Sequence, residues 1–324
     1  MATTNQDGTR KWRITVLISG SGSNLQALLD AQSTTLSTCQ ITSVLSSRSD
    51  AYGLTRARSS TPSIPAEAFP LLRWRKAREA DGKTGTRDEW EVELAEKIRA
   101  TRPDLVVLAG WMLILGEGFL NALVRDWDED DQDSPSTSPS IPPSVDPSGA
   151  SISTGLSTPG SSPYSLPPSS SSSSSSSLKS RPIPIINLHP ALPGQFPGAH
   201  AIKDAWDAFN QPAASRLQSG TGVSNVLESI ATAGGEEPAV EGESPRRITK
   251  TGIMIHRVIP LLDAGAPVVV KEVPMREGES LDELEERIHQ VEHVGIVEAV
   301  GEVTRLIRDG EWWETKDVGR EGGQ

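Results

Sequence analysis

The stretch that decides the fold is RITVLISGSGSNLQALLDA, residues 13–31. Residues 13–18 are apolar and rich in β-branched side chains, which is typical of a short buried strand. Gly20 and Gly22 then form a turn, and residues 24–31 have the apolar spacing of a helix. A buried strand that passes through glycines into a helix predicts an α/β fold.

Strands and helices continue to alternate along the chain. Further strands are predicted at 41–45, 105–109 and 184–187, and further helices at 51–58, 87–100 and 199–209. The two last strands, at 251–258 and 267–273, are joined by a short turn. Ser280 and Glu283 form a capping box at the start of a predicted long helix, residues 281–307. This order predicts a doubly wound, mostly parallel sheet with an antiparallel strand pair near the C-terminus.

Two polar stretches interrupt this pattern. Residues 126–180 are acidic at first and then rich in serine and proline, while residues 210–248 are polar and glycine-rich, with a short helix as an option at 223–231. Such compositions bury too little apolar surface to offset the entropy lost on ordering, so we predict two long disordered insertions. The rest of the chain, 12–125 and 181–315, is predicted to form one catalytic domain.

Composition excludes several classes of protein. The net charge is −12 and the pI is about 5.0, which argues against a general nucleic-acid binder but leaves room for a local basic pocket. Cys39 is the only cysteine, so no intramolecular disulfide forms, as suits a reducing compartment. No apolar run approaches the roughly 20 residues that span a bilayer, and the N-terminal residues lack the apolar core of a signal peptide. We therefore expect a cytoplasmic protein without a nucleic-acid or membrane partner.

The glycine-rich turn has two interpretations. Free N–H groups at the start of a helix favour an anion, so Gly22, Ser23 and Asn24 are a candidate phosphate site. A dinucleotide is disfavoured, because Leu25 takes the place of the third glycine and no acidic residue ends the second strand. A purely structural turn explains the same residues equally well.

Two polar side chains follow one another at the end of the strand predicted at 184–187. Asn187 and His189 lie two residues apart, so in an extended chain they share one side, at the edge of the sheet where open α/β folds bind ligands. An amide and an imidazole together suit a developing oxyanion, but an Asn–His pair that satisfies nearby backbone groups is an equal alternative. Asp263 lies in a glycine-containing turn, where aspartate is ordinary turn chemistry unless it pairs with His189.

Five blocks of the sequence occur together in a characteristic order. They are ITVLISGSGSNLQALLDA, PDLVVLAGWMLIL, INLHPALPGQFPGAH, TGIMIHRVIPLLDAGAPVVVKEVPM and ESLDELEERIHQVEHVGIVEAV. In this order the chain resembles the phosphoribosylglycinamide formyltransferase family over residues 12–125, 181–210 and 249–308. The resemblance implies a Rossmann-like formyltransferase fold. It also implies transfer of the formyl group of 10-formyltetrahydrofolate to the amine of 5-phosphoribosylglycinamide, in purine (IMP) biosynthesis and without a metal.

The resemblance also implies individual roles. Asn187, His189 and Asp263 match the catalytic residues, with Asn187 and protonated His189 as oxyanion donors. Asp263 would orient His189, favour its charged form and assist proton transfer. The substrate phosphate would bind at Gly22, Ser23 and Asn24, and the glycinamide would contact Glu292. The folate would contact Arg87, Met112, Leu113, Ile114, Leu115 and Asn187. His200 and His256 match family positions and are expected to be supporting residues.

Other functions remain as alternatives. Methionyl-tRNA formyltransferase and formyltetrahydrofolate hydrolase share the catalytic block, but each is expected to carry a further domain for which this chain leaves little room. A catalytically inactive nucleotide-binding or scaffold protein that uses its serine-rich segment for partners is the alternative of another class. Retention of all three candidate catalytic residues favours an enzyme. Other purine-pathway enzymes are further candidate partners.

Overall fold

The structure is a computed structural model that describes residues 10–126, 180–211 and 248–314. The strands are β1 (Trp12–Ile18), β2 (Cys39–Ser46), β3 (Ala66–Ala68), β4 (Leu105–Leu108), β5 (Val124–Asp126), β6 (Ser180–Pro182), β7 (Ile185–His189), β8 (Lys250–Arg257) and β9 (Pro267–Pro274). The helices are α1 (Ser23–Ala31), α2 (Tyr52–Ser59), α3 (Leu71–Ala80), α4 (Arg87–Ala100), α5 (Glu117–Ala122), α6 (Ala201–Asn210) and α7 (Leu281–Arg308). A 3₁₀ turn, Glu311–Trp313, follows α7.

Seven strands form one sheet in the order β3-β2-β1-β4-β7-β8-β9. The strands from β3 to β7 in this order pair in parallel, whereas β8 is antiparallel to both β7 and β9. The predicted sheet, mostly parallel with an antiparallel pair at its C-terminal end, is confirmed. The chain moves outward from β1 in one direction and from β4 in the other. The loops after these two strands therefore diverge and leave a crevice, the usual ligand site of such sheets.

Strand β1 is buried on both faces of the sheet, as its continuous apolar run requires. Because side chains alternate along a strand, Ile14, Val16 and Ile18 pack in one hydrophobic cluster with residues of α1 and α7. Leu17 points to the opposite face and packs in a second cluster that contains Trp90 and Leu94 of α4. The helices therefore cover both faces, which is the doubly wound arrangement.

Most predicted elements are confirmed with small shifts at their ends. The helix predicted at 87–100 is α4, and the capping box at the start of α7 is formed, with Ser280 Oγ accepting from the Glu283 N–H and the Glu283 carboxylate accepting from the Ser280 N–H. Helices α3 and α5 and the short strands β3, β5 and β6 were not predicted. The predicted insertions at 126–180 and 210–248, with the optional helix at 223–231, lie outside the described residues except at their ends.

Strands β5 and β6 pair with each other in a separate antiparallel ladder. The partners run from Val124 opposite Pro182 to Asp126 opposite Ser180. The two ends of the described chain at this gap, Asp126 and Ser180, are therefore direct neighbours. This pairing supports the prediction that one domain continues across the first insertion, although the domain boundaries stay a prediction.

The glycine-rich turn after β1 packs against the start of α2, backbone on backbone. Gly22 has a φ of 71°, and a Cβ built on it would lie 2.6 Å from the Cα of Gly53. A Cβ on Gly53 would lie 2.4 Å from Cδ1 of Ile18, and the Gly53 N–H donates to the Gly20 carbonyl at 3.2 Å. Both glycines are therefore required by close approach, and Gly53 is a requirement that the sequence pattern did not reveal.

We expect Gly53→Ala to lower the free energy of unfolding by about 1–3 kcal/mol, because the added methyl overlaps a buried side chain. Chemical denaturation followed by circular dichroism measures the change. Gly118→Ala is the matched control, since a Cβ at that position in α5 meets nothing within 4 Å and alanine favours a helix. Equal stability of Gly53→Ala and the wild type would contradict the close packing of this turn.

Candidate active site

An open cleft of about 750 Å³ lies at the crevice between the loops that follow β1 and β4. The turn after β8, the end of β7 and one face of α7 complete its lining. It brings together most of the residues singled out in the sequence, namely Gly22, Ser23, Asn24, Met112, Leu113, Ile114, Leu115, Asn187, His189, Asp263 and Glu292. Arg87 is described but does not belong to the lining.

The carboxylate of Asp263 lies at the centre of a polar cluster. Its Oδ2 accepts from the Gly198 N–H at 3.2 Å and lies 3.6 Å from Nδ1 of His189. Its Oδ1 lies 3.5 Å from Nε2 of His256 and 3.5 Å from Nδ2 of Asn187. Burial opposes ionisation of Asp263, but the His256 contact, the His189 ring and the Gly198 N–H together hold the pKa of this carboxyl below its usual value. Asp263 is thus more than a turn residue.

The turn that carries Asp263 is fixed by its own backbone. Asp263 has a φ of 51°, in the left-handed region that aspartate tolerates better than most residues. Two residues later, a Cβ on Gly265 would lie 1.8 Å from the carbonyl oxygen of Arg257, so only glycine fits. The Arg257 N–H donates to the Ala266 carbonyl at 3.0 Å and closes the turn. The sequence Asp-Ala-Gly therefore sets the position of the carboxylate.

His189 is the last residue of β7 and is buried. Its Nε2 lies 3.1 Å from the carbonyl oxygen of Phe196. Because a carbonyl only accepts, Nε2 carries the hydrogen, and a second proton on the ring would reside on Nδ1, facing Asp263. Burial lowers the pKa of His189, Asp263 acts in the opposite direction and His256 reinforces the lowering, so that the pKa lies below the usual value of a histidine.

Asn187 and His256 are direct partners across the antiparallel ladder of β7 and β8. Nδ1 of His256 is 2.8 Å from the Arg257 carbonyl oxygen, which makes it the donor there. In the neutral ring Nε2 is then an acceptor, and it lies 3.2 Å from the amide nitrogen of Asn187. His256 therefore orients the Asn187 amide, as befits a supporting residue.

Glu292 of α7 meets the glycine-rich turn at the other end of the cleft. Its Oε2 accepts from Nδ2 of Asn24 at 3.0 Å, and both residues are buried. The Oδ1 atom of Asn24 has no hydrogen-bond partner among the described residues. Burial raises the pKa of Glu292, although the Asn24 amide and the positive charge of His289 act against this.

Several residues that line the cleft were not predicted from the sequence to belong to the site. Ser19 Oγ accepts from the Met112 N–H at 2.9 Å and so connects the loops after β1 and β4. Arg48, Lys203 and His289 also line the cleft. The contact of His256 with Asn187 was foreseeable from a histidine inside the apolar strand TGIMIHRV, next to the strand that ends in NLH. No sequence signal marks the role of Ser19, because serine in a glycine-rich turn is common.

The described ranges contain neither a metal-binding cluster nor a membrane-spanning helix. No group of three or more His, Cys, Asp or Glu side chains within residues 10–126, 180–211 and 248–314 is arranged to hold a metal ion. In the same ranges no helix combines the length and apolar character that crossing a membrane requires.

Comparison with known proteins gives a consistent assignment. The sequence model of the formyl transferase family matches residues 12–126 and 241–300. The phosphoribosylglycinamide formyltransferase of Dictyostelium discoideum is 33% identical over 291 residues, which cover 89% of this chain and 96% of the relative. The enzyme of the same name from Schizosaccharomyces pombe is 34% identical over 292 residues, which cover 90% and 96%.

Solved structures agree on the fold. The crystal structure of glycinamide ribonucleotide transformylase 1 from Symbiobacterium toebii is similar with a TM-score of 0.53 at 24% identity, covering 93% of this chain and 89% of that chain. The phosphoribosylglycinamide formyltransferase from Streptococcus pneumoniae has a TM-score of 0.52 at 22% identity and covers 90% of this chain and 99% of that chain.

We expect Glu292→Gln to raise the Tm at neutral pH and to leave it unchanged at acid pH. A carboxyl whose folded pKa is raised contributes its full stability below the unfolded pKa, about 4.3, and loses it as pH rises through the folded pKa. Glutamine is uncharged throughout and can still accept from Asn24. The Tm difference should therefore grow from near zero at about pH 4 to a plateau at neutral pH.

Differential scanning calorimetry across this pH range measures the difference. Glu286→Gln, an exposed change on the same helix, removes the same charge without the burial and serves as control. A Tm difference for Glu292→Gln that does not change with pH, or that equals the difference for Glu286→Gln, would show that burial does not destabilise the charged form of Glu292.

Proposed function

The chain belongs to the formyl transferase family. From this premise we propose which parts of its cleft bind each substrate of a phosphoribosylglycinamide formyltransferase and which residues catalyse the transfer. The enzyme transfers the formyl group of 10-formyltetrahydrofolate to the amine of 5-phosphoribosylglycinamide, a step of purine biosynthesis. The cleft must therefore hold a ribonucleotide with its phosphate and amine, and a folate with its formyl group. These parts must meet at groups that stabilise an oxyanion.

The ribonucleotide is assigned to the end of the cleft formed by the glycine-rich turn and α7. Helix α1 begins at Ser23 after a left-handed Gly22 and has no side-chain cap, so its first N–H groups suit a phosphate. Glu292 lies one hydrogen bond away from Asn24. Its carboxylate offers an acceptor to the amine of the glycinamide, and the buried Oδ1 of Asn24 beside it has no other hydrogen-bond partner among the described residues. This arrangement supports the roles that the resemblance implies for Gly22, Ser23, Asn24 and Glu292.

The formyl donor is assigned to the apolar wall after β4. Residues 112–115 line the cleft with three aliphatic side chains and one thioether, and Leu261 and Leu262 add exposed apolar surface from the turn after β8. A flat apolar ring system buries well against such a surface. Asn187 is on β7, which lies between β4 and β8 in the sheet. A donor that binds against the wall after β4 therefore presents its formyl group near the Asn187 side-chain amide.

The proposed chemistry needs no enzyme nucleophile. The amine attacks the formyl carbon, a carbon–nitrogen bond forms, and the carbonyl electron pair moves to oxygen. We assign Asn187 and protonated His189 to stabilise that oxyanion by donating hydrogen bonds, His189 from Nε2 once this N–H turns from the Phe196 carbonyl oxygen. Collapse of the intermediate breaks the bond to N10 of the folate. The amine loses one proton and N10 gains one, and we assign Asp263 to assist this transfer through water.

The electrostatics of His189 support this scheme. Burial keeps its pKa low in the free enzyme, and a negative oxyanion that forms beside the ring would raise that pKa and favour the charged form. The additional proton would reside on Nδ1, next to Asp263, which compensates the new charge. The observation that carries the proposal is this carboxylate, which accepts from the Gly198 N–H and the Asn187 amide and faces Nδ1 of His189 and Nε2 of His256.

The activity is tested directly on purified protein. We expect formylation of 5-phosphoribosylglycinamide by 10-formyltetrahydrofolate, with no added metal or nucleotide, followed by the absorbance change of the folate product. Release of formate without a formylated product would instead indicate a hydrolase, and activity on charged tRNA alone a different transferase. No turnover of the folate with either acceptor or water would favour the inactive scaffold.

We expect His189→Ala to reduce kcat by about 10²–10³, the usual cost of removing one oxyanion donor. Asp263→Asn should cost at least as much, because it removes the charge that raises the pKa of His189. KM for both substrates should change less than kcat, since these contacts strengthen in the transition state. Steady-state kinetics of the two single variants and the double variant give the comparison.

If the residues act as one unit, the losses do not multiply in the double variant. Asp204→Asn, an exposed aspartate on α6 outside the cleft, removes the same charge and should leave kcat unchanged. Losses that multiply, or near-normal turnover of His189→Ala, would assign the oxyanion to other groups.

A further inference from the structure

The wall proposed for the formyl donor is held only partly by its own side chains. Trp111 and Leu115 are buried and Leu113 packs in part against the core, but Met112 and Ile114 are 62% and 59% exposed. A backbone with exposed side chains needs another restraint if it is to form one side of a binding site.

That restraint comes from two charged side chains of α4, one helical turn apart. Arg87 donates from Nη2 to the Ile114 carbonyl oxygen. Glu91 accepts from the Gly116 N–H at 2.9 Å and from Nε of Arg87 at 2.9 Å. The Ser19 hydroxyl holds the Met112 N–H from the other side. The backbone of the wall is thus bound at three points, two of them by the Arg87–Glu91 pair.

Glu91 is unusual because it is a buried acid, only 3% exposed, among the otherwise apolar buried residues of α4. A buried carboxylate is costly unless charged or N–H donors surround it, and both of its oxygens have such a donor here. The fit is close, since a Cβ on Gly116 would lie 2.8 Å from Oε2 of Glu91. Charge-assisted hydrogen bonds of this kind are the strong ones in proteins.

We propose that Glu91 is a positioning residue for the formyl donor. It holds Arg87 and Gly116, and through them it sets the backbone of residues 112–116 against which the donor binds. The inference rests on the proposed function, which assigns the donor to this wall. It also gives Arg87 a role through the Ile114 carbonyl, in place of the direct folate contact that the resemblance implies.

Kinetics of Glu91→Ala test the proposal. We expect KM for 10-formyltetrahydrofolate to rise about tenfold, the typical effect of losing a charge-assisted hydrogen bond. KM for the ribonucleotide and kcat should stay near the wild-type values, because the glycine-rich turn and the catalytic residues do not touch Glu91. Glu91→Gln keeps the shape and an acceptor for Gly116 but loses the charge, so its KM should be intermediate. Glu96→Gln, exposed on the same helix, is the control.

A second variant perturbs the same contact without altering Glu91. Gly116→Ala has an ordinary backbone φ of −81°, so its main effect is to push against the Glu91 carboxylate. It should raise the donor KM in the wild-type background and add little in Glu91→Ala, where the carboxylate is gone. Full additivity of the two changes would overturn the proposal.

A donor that lacks the glutamyl group separates the two roles of Arg87. If Arg87 acts through the wall, Arg87→Ala raises KM by the same factor for the full donor and for a 10-formyl pteroyl donor without glutamate. An effect confined to the full donor would mean direct binding of the glutamyl carboxylates, and would overturn the positioning role of Arg87.

The remaining outcomes distinguish this inference from the proposed function. Ile114→Ser changes the wall itself and should also raise the donor KM. If it does so while a folded Glu91→Ala protein has a normal donor KM, the positioning role is wrong and the donor site stands. If neither variant changes KM, both are wrong. Equal increases in both substrate KM values for Glu91→Ala would indicate general loss of structure and overturn the specific role.

Discussion

The carboxylate of Asp263 is the constraint on which the catalytic end of the molecule depends. It is reached by His189 and Asn187 of β7, by the Gly198 N–H of the loop after β7 and by His256 of β8. Three segments therefore converge on two oxygen atoms. The turn that presents this carboxylate owes its shape to a left-handed aspartate and to Gly265 packed on the Arg257 carbonyl. In such a network each partner restricts the others, which is how a site gains precise geometry from side chains that are individually mobile.

Two buried carboxylates of the cleft respond to burial in opposite ways. Asp263 has enough donors to outweigh the loss of water, so its pKa falls. Glu292 has the amide of Asn24 and the charge of His289, which do not suffice, so its pKa rises. Acids with diverging pKa values in one cleft are typical of sites where proton transfer and substrate binding are separate tasks. Under the proposed function, a substrate amine would supply the partner that the buried Glu292 carboxylate lacks.

The sequence predicted the sheet well, because the sheet follows from local patterns, whereas the roles of Asn187, His189 and Asp263 rested on the resemblance and stay a prediction. A buried strand ending in glycines, an Asn-Leu-His at a strand end and a capping box at Ser280 are each visible over a few residues. Prediction failed where a feature depends on contacts with residues that are distant in the sequence. Helix α3 has the sequence LLRWRKAREA. Its one buried side chain is Trp74, so the sequence lacks the apolar stripe that would have predicted this helix. The close approach of Gly53 to Ile18 and Gly22, and that of Gly116 to Glu91, are contacts that only the folded chain creates. The assignment of Asp263 itself needed His189 to be seen beside it.

The short ladder of β5 and β6 has a consequence for how such enzymes diversify. Because Asp126 and Ser180 are neighbours across that ladder, the ends of the intervening segment are already joined by the domain itself. The entropy of closing a flexible loop grows only with the logarithm of its length, about 0.6 kcal/mol for each doubling. For any flexible connection between two ends that are held together in this way, extra length is therefore almost neutral for folding. A lineage can thus add or delete sequence between β5 and β6 under little selection from the stability of the enzyme.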